Sequence, residues 1–252
     1  SIEYLNEYPD GSHADSIRLI LGNLLVKEKK FQKAMVQYDS IKNPEKLRSV
    51  HINKLLCLYA TSQFNKLEKE TRALFVKEDI VEMNPLLIFY RAESLFRQAL
   101  LKEDIEHEEL LKTCSQVIPL YESLLEGDYK NNSLLALAEL NLIIANERKA
   151  KELFIYLVDV YPSRAEELKY KAAEAIFKED SEEALAILKE IIRANGKWSS
   201  RAALKWFSLN FDNENFSYLL KHYQEIIPYL EESRSENSIP ISQAGQVRVF
   251  RW

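Results

Sequence analysis

Glycine, proline and cysteine are scarce in this chain of 252 residues, which contains five glycines, seven prolines and two cysteines. A β-sandwich or an α/β enzyme would use more turn-forming residues, so the composition favours an all-helical fold. Cys57 and Cys114 form no CxxC pair, and each lies in an apolar helical segment. We therefore expect both cysteines to be small core residues, with neither a disulfide framework nor a redox role.

Long apolar runs and long basic runs are also missing. The longest apolar stretch, from Pro85 to Tyr90, is far shorter than the roughly 20 residues that span a bilayer, so we expect no transmembrane segment. The formal net charge is -5, and without a basic run we expect no nucleic-acid partner. No signal peptide is visible, and the compartment, cytoplasm or periplasm, stays open.

Patterns of catalytic or metal-binding residues are missing as well. The four histidines lie far apart in the sequence, at positions His13, His51, His107 and His222. Only His107 stands among acidic residues, and it lacks further ligands at the spacing that zinc requires. There is no glycine-rich phosphate loop and no nucleophile elbow. We therefore expect no catalytic residue, no metal and no cofactor, and a protein that is not an enzyme.

Residues 131–196 contain two copies of one unit, 34 residues apart. The apolar positions Ala150, Leu153, Phe154, Leu157 and Val158 recur as Ala184, Ile187, Leu188, Ile191 and Ile192. Apolar residues three and four apart predict two amphipathic helices in each copy. The first copy ends at Tyr161-Pro162 and the second at Asn195-Gly196, a usual left-handed helix stop. This period is typical of tetratricopeptide repeats (TPR).

The remainder of the chain divides into similar units. We predict helix pairs at about 15–48, 49–82, 85–128, 131–164, 165–198 and 199–232, with the end of an earlier repeat at 1–14 and a polar linker and apolar tail at 233–252. An insert near residues 102–107 lengthens either a helix or the loop between helices in the third unit. Pro119 is expected to kink its helix, and Pro228 to bend or end the last helix.

The first unit matches the TPR pattern most closely. Leu21-Gly22 is the large-then-small pair of its first helix, Ala34 is the small residue of its second helix, and Tyr38 is the aromatic residue four positions later. Gly22 and Ala34 would let the two backbones approach closely, while the aromatic ring fills the space beside them. The chain thus resembles the TPR family. This resemblance implies an all-α, right-handed superhelical solenoid of about six helix pairs plus a C-terminal tail.

By the same resemblance, a protein or peptide partner binds a concave groove lined by the first helix of each unit. The predicted partner-binding residues are Asn23, Asn53, Tyr59, Tyr90, Glu93, Arg97, Glu139, Lys169 and Tyr170. The tyrosines and Arg97 are the expected anchors, and the alternative is that the aromatic residues belong to the core. Asn23 and Asn53 match TPR domains that bind carboxylates, but Leu19 and Tyr90 replace that subclass's cations. We therefore exclude a carboxylate clamp.

The C-terminal tail returns to apolar character at Val247, Val249, Phe250 and Trp252. We expect it either to pack back onto the last helices or to dock on another molecule.

These features suggest a non-enzymatic scaffold for protein partners, as a fragment of a longer protein. The frequent lysine, glutamate, asparagine and isoleucine suggest a bacterial source, and hence a multiprotein assembly for secretion, the envelope or motility. One alternative is a self-assembling structural module that uses its open end and its tail. Another is a sensor for a regulatory or catalytic domain located elsewhere in the parent protein.

Overall fold

The described part of the chain folds entirely into helices and their connections. The structure is a computed structural model that describes residues 2–75, 84–212 and 214–236, and within these ranges no β-strand occurs. The all-α prediction is therefore confirmed. The predicted tail residues Val247, Val249, Phe250 and Trp252 lie outside the described residues. None of the described helices is both long and apolar enough to cross a membrane.

The chain divides into two compact units, Ser1–Ser133 and Leu134–Trp252. The N-terminal unit contains α1 (Ile2–Glu7), α2 (Ala14–Lys27), α3 (Phe31–Asp39), α4 (Pro44–Ala60), α5 (Phe64–Phe75), α6 (Pro85–Leu100) and α7 (His107–Glu122). Each helix packs on the next along the chain, and α4 also contacts α2 and α6. Consecutive helices are thus spatial neighbours throughout this unit.

The C-terminal unit contains α9 (Glu147–Val160), α10 (Ala165–Ile176), α11 (Ser181–Ala194), α12 (Ser199–Asp212) and α13 (Phe216–Glu236), and α8 (Lys130–Ile143) begins just ahead of its boundary. A 3-10 turn at Pro162–Arg164 precedes α10. One apolar cluster joins α8, α9 and α10 around Phe154 and Leu157. A second cluster joins α10 to α13 around Leu188 and Trp206.

Asn43-Pro44 begins a helix rather than only ending the previous one. The Asn43 side-chain oxygen accepts hydrogen bonds from the backbone N–H groups of residues 45 and 46, at 3.0 and 3.1 Å. Pro44 occupies the first helical position, where an N–H group is not needed. Asn84-Pro85 begins α6 in the same way, with Asn84 accepting from the N–H of residue 86 at 2.9 Å. The second helix pair therefore starts several residues before the predicted boundary.

The two interior prolines do not end their helices. α7 continues past Pro119 to Glu122, and α13 continues past Pro228 to Glu236. Of the two predicted effects of Pro228, an end of the last helix is therefore wrong, and a bend stays a prediction. A proline costs one helical hydrogen bond, but apolar residues beyond it, such as the fully buried Tyr121, continue to pack. The insert of the third unit lies in the loop between α6 and α7.

Gly22 allows α2 and α3 to approach closely, as the sequence predicts. A Cβ atom at this position would lie 2.4 Å from Cε1 of Tyr38, well inside van der Waals contact. Tyr38 and Ala34 are both fully buried. The glycine therefore makes room for the aromatic ring between the two backbones.

One backbone turn recurs four times, after α2, α4, α8 and α12. Each turn has a residue with a positive φ of 55° to 57°, namely Lys29, Ser62, Ala145 and Glu214. The N–H of the following residue donates to a carbonyl five positions earlier, on Leu25, Leu58, Asn141 and Asn210, at 2.8 to 2.9 Å. This pattern is the Schellman motif, which terminates a helix and satisfies its last carbonyl groups. It connects each of these helices to the next.

Candidate partner-binding surface

Asn23 and Asn53 lie on α2 and α4 and form one polar cluster with Tyr38. The Asn23 side-chain oxygen accepts from the Tyr38 hydroxyl at 2.8 Å and from the Asn53 amide at 3.0 Å. Both asparagines are half-buried. The hydrogen bond between the two asparagines connects α2 to α4. Their partial exposure leaves the cluster accessible to solvent.

Tyr59, Tyr90, Glu93 and Arg97 form a second cluster, centred on a buried carboxylate. Glu93 is only 3% exposed. Its carboxylate accepts hydrogen bonds from the Tyr121 hydroxyl at 2.7 Å, the Arg97 Nε at 3.1 Å and the Tyr59 hydroxyl at 3.3 Å. A charge inside a protein needs such partners, since burial removes its hydration. Glu93 thereby connects α4, α6 and α7.

Tyr90 is also buried, with its ring 5.5 Å from Tyr59 and 6.0 Å from Phe89. Burial raises the pKa of Tyr90 above its ordinary value. Burial, with a contribution from nearby Glu93, raises the pKa of Tyr59 to about 12. Both hydroxyl groups are thus neutral at physiological pH. We place Tyr90 and Glu93 in the core rather than on a groove wall, whereas Tyr59 and Arg97 retain partial exposure.

A second buried carboxylate, Glu68, was not predicted from the sequence. It lies on α5 and accepts from Arg91 of α6 at 2.7 Å and from Arg72 at 2.8 Å. Burial acts to raise its pKa, but the two arginines outweigh burial and hold the pKa of Glu68 below its ordinary value. Only the four-residue spacing of Glu68 and Arg72 could have indicated a pair; Arg91 comes from a different helix.

The predicted residues of the C-terminal unit lie on different sides of their helices. Lys169 pairs with Glu190 of α11 at 3.1 Å, and Glu139 accepts from Lys171 of α10 at 3.0 Å. The half-buried Tyr170 packs its ring 5.2 Å from that of Trp198. Burial, followed by the charge of nearby Glu174, raises the pKa of Tyr170 above its ordinary value.

Ion pairs recur between alternate helices of the C-terminal unit. Glu139 of α8 pairs with Lys171 of α10, and Glu174 of α10 pairs with Lys205 of α12 at 3.4 Å. The glutamates are 35 residues apart in the sequence and the lysines 34. Lys171, Glu174 and Lys205 were not predicted from the sequence, and this regular spacing was the available signal for them. Each pair thus connects two helices that are separated by one helix in the chain.

Two exposed apolar surfaces were also not predicted. Ile20 and Leu24, one turn apart on α2, are 59% and 51% exposed. On α12 and α13, four apolar side chains are exposed by 41% to 78%, namely Leu204, Phe211, Phe216 and Leu220. Exposed apolar clusters of this kind are typical of interaction surfaces.

Neither the acidic residues nor the cysteines suggest metal or redox chemistry. Among the described residues, no three His, Cys, Asp or Glu side chains are placed so that they could hold a metal ion. Cys57 and Cys114 are fully buried, which confirms the predicted core positions. Burial raises the pKa of each thiol to about 11, so both are protonated at neutral pH.

Comparisons of this chain with models of protein families, with curated proteins and with solved structures found no match. The resemblance to the TPR family therefore depends on the residues and turns of the chain itself, and family membership stays a prediction.

Proposed function

We propose that the chain is a non-enzymatic scaffold that binds a protein or peptide partner, built as a right-handed superhelical solenoid of TPR-like helix pairs. The observation that supports this most strongly is the recurring turn. Its positive-φ residues are 33 positions apart in the N-terminal unit, at Lys29 and Ser62. They are 69 positions apart in the C-terminal unit, at Ala145 and Glu214, close to twice the period of 34. Such a recurrence is typical of a repeat array.

The turn also allows the four helices before it to be aligned on the residue whose carbonyl accepts the turn's hydrogen bond. Two positions before that residue, the aligned helices carry Asn23, Leu56, Glu139 and Ser208. Asn23 and Glu139 were predicted as groove residues independently of the turn. Equivalent positions of stacked repeats line one face of a solenoid, so the coincidence supports a binding face at this helix position in each unit.

The proposed groove offers a mixed surface with both polar and aromatic groups. Asn23, Asn53 and Arg97 provide hydrogen-bonding groups, and Tyr59 and Tyr170 provide partly exposed rings. A surface without a dominant positive charge fits a protein or peptide segment better than a nucleic acid. Tyr90 and Glu93 support this surface from beneath it. The composition of the chain favours a bacterial secretion, envelope or motility assembly in the cytoplasm or periplasm.

Charge reversal on the proposed groove tests the binding function. A Lys27→Glu/Glu139→Lys variant changes α2 one turn after Asn23 and changes α8 at the predicted groove residue Glu139. The matched control, Lys33→Glu/Glu152→Lys, makes the same changes on the exposed faces of α3 and α9. Proteins are captured from a lysate of the source organism, identified by mass spectrometry, purified and titrated calorimetrically. We expect a partner that binds the wild type and the control but loses affinity for the groove variant. Equal affinity for both variants would contradict the groove.

The solenoid architecture has a separate test by small-angle X-ray scattering. A compact globular chain of this length has a radius of gyration of about 18 Å. A solenoid is elongated and gives a clearly larger value. A value near that of a globular chain, for a monodisperse monomer, would contradict the architecture without bearing on whether a partner binds.

Self-assembly is a second candidate function, favoured by the exposed Ile20 and Leu24 on α2. In this alternative a second copy covers this open end, with a contribution from the C-terminal tail. Light scattering after size exclusion, over a concentration series, should then show a rising mass for the wild type. Leu24→Lys should abolish the rise, whereas Val36→Lys on the exposed face of α3 should not. A mass that stays monomeric throughout would exclude this function.

A further inference from the structure

An apolar patch surrounds the turn between α12 and α13. It consists of Leu204, Phe211, Phe216 and Leu220, and we call it the terminal aromatic patch. The rings of Phe211 and Phe216 meet edge to face at 5.5 Å, and Phe211 stacks on the half-buried Phe207 at 6.3 Å. Leu220 is 78% exposed, the highest fraction among these residues. The packed rings expose apolar area to water, which is unfavourable, so this surface favours contact with another apolar group.

We propose that the segment Val247–Trp252 of the same molecule docks on the terminal aromatic patch. The described part of the chain ends at Glu236, so sixteen residues follow α13. Leu220 lies 16 residues before Glu236, which corresponds to about 24 Å along the helix. Residues 237–246 span up to about 33 Å when extended. Val247 can therefore reach Leu220, and the residues after it can reach Phe216 and Phe211.

The chemistry of the segment matches that of the patch. Phe250 and Trp252 offer aromatic rings, and aromatic pairs are favoured beyond the area that they bury. Arg248 and Arg251 alternate with the apolar residues. The exposed Glu214 lies between Phe211 and Phe216 in the chain, where it provides a negative charge at the rim. Apolar contact at the centre and opposite charge at the rim are typical of specific docking.

The segment's own molecule is a better occupant than a second copy because of the linker. A segment tethered to its docking site through residues 237–246 has an effective concentration in the millimolar range, far above ordinary protein concentrations. The docked segment would cover the patch and keep it from unspecific association. This inference does not depend on the scaffold function, since it concerns a different surface.

Disulfide trapping in the full chain tests the proposal. Leu220→Cys is combined with Val249→Cys, and the control combines Lys221→Cys, exposed on the same helix one residue away from the patch, with Val249→Cys. Cys57 and Cys114 are fully buried and do not compete. The linker brings residue 249 equally near both positions, so only docking on the patch should make the intramolecular disulfide of the first variant form about tenfold faster than that of the control. A disulfide-linked dimer as the main product, or trapping no faster than in the control, would overturn the proposal.

Hydrogen exchange provides a second measurement without new cysteines. Phe250→Ser/Trp252→Ser changes only the tail and leaves every described residue intact. Amides of residues 204–220 should exchange several-fold faster in this variant than in the wild type, whereas those of α3 should not change. Unchanged exchange at 204–220 would overturn the proposal even if the disulfide had formed.

Discussion

The ion pairs differ in burial between the two compact units. In the N-terminal unit, Glu68 and Glu93 are 6% and 3% exposed, and each is paired with at least one arginine. In the C-terminal unit, the pairs Glu139–Lys171 and Glu174–Lys205 are partly solvated, with side chains 23% to 40% exposed. Exposed pairs contribute little to stability, whereas breaking a buried pair leaves an uncompensated charge.

This difference shows how much each unit depends on individual polar residues. The buried residues of the two C-terminal clusters are alanine, leucine and isoleucine with one large aromatic residue each, Phe154 and Trp206. The buried polar residues of this unit, such as Ser199 and Asn210, are uncharged. The unit should tolerate the loss of any one charge. The N-terminal unit contains polar groups whose hydrogen bonds involve three helices at once, so removing one group disturbs several partners.

The largest contrast should come from removing one carboxylate in each unit. Glu93→Ala leaves Arg97, Tyr59 and Tyr121 without their acceptor and should lower the free energy of unfolding by about 3–5 kcal/mol. Glu139→Ala removes a solvated pair and should cost about 0–1 kcal/mol. Urea unfolding followed by circular dichroism measures both. Glu93→Gln, which retains the shape and one acceptor, should fall between them. Equal costs for the two alanine variants would remove the distinction between the units.

The next largest effect on stability should come from the close contact between α2 and α3 in the N-terminal unit. Gly22→Ala introduces a Cβ atom that would lie 2.4 Å from the Tyr38 ring. Overpacking of this kind costs about 1–3 kcal/mol, which outweighs the gain of about 1 kcal/mol in helix propensity. Gly127→Ala is the matched control, since its Cβ would meet no atom within 4 Å. Thermal unfolding should show a lower Tm for Gly22→Ala alone, and an unchanged Tm would mean that α2 and α3 can separate without cost.

The sequence predicted the C-terminal unit better than the N-terminal one for a physical reason. The apolar positions of the C-terminal unit recur every 34 residues, so the helix pairs α8–α9 and α10–α11 can be predicted from that period. Glu93 interrupts the apolar face of α6, and only residues from α4 and α7 make it acceptable in the interior. No local pattern can show those partners, and for the same reason the sequence left Tyr90 open between groove and core. Asn43-Pro44 suits both a helix end and a helix start, so its role needed the structure.

The recurring turn was equally invisible in the sequence because none of its positive-φ residues is a glycine. Lys29, Ser62, Ala145 and Glu214 adopt a conformation that costs a non-glycine residue about 1–2 kcal/mol. The Schellman hydrogen bonds and the packing of the following helix offset that cost. A search for glycine at helix ends therefore overlooks a backbone feature that the two units share.

Substituting glycine at this turn should affect both units alike. Ser62→Gly and Ala145→Gly should each raise the free energy of unfolding by about 0.5–1 kcal/mol because glycine adopts positive φ without strain. Ala186→Gly, on the exposed face of α11, should instead cost about 1 kcal/mol. Urea unfolding of the three variants measures the signs. Destabilisation by glycine at residue 62 but not at residue 145 would mean that the turn has different roles in the two units.

The smallest expected effect is a change in how stability depends on acidic pH, caused by Glu68. Its arginine partners hold its pKa in the folded chain below the ordinary value of 4.5. The carboxylate therefore stabilises the fold fully above that value, and this contribution is lost as the pH falls through the lowered pKa. Glu68→Gln should flatten the decline in stability below pH 4.5, measured as urea midpoints between pH 7 and pH 3. A decline as steep as that of the wild type would mean that the two arginines do not couple the ionisation of Glu68 to the fold.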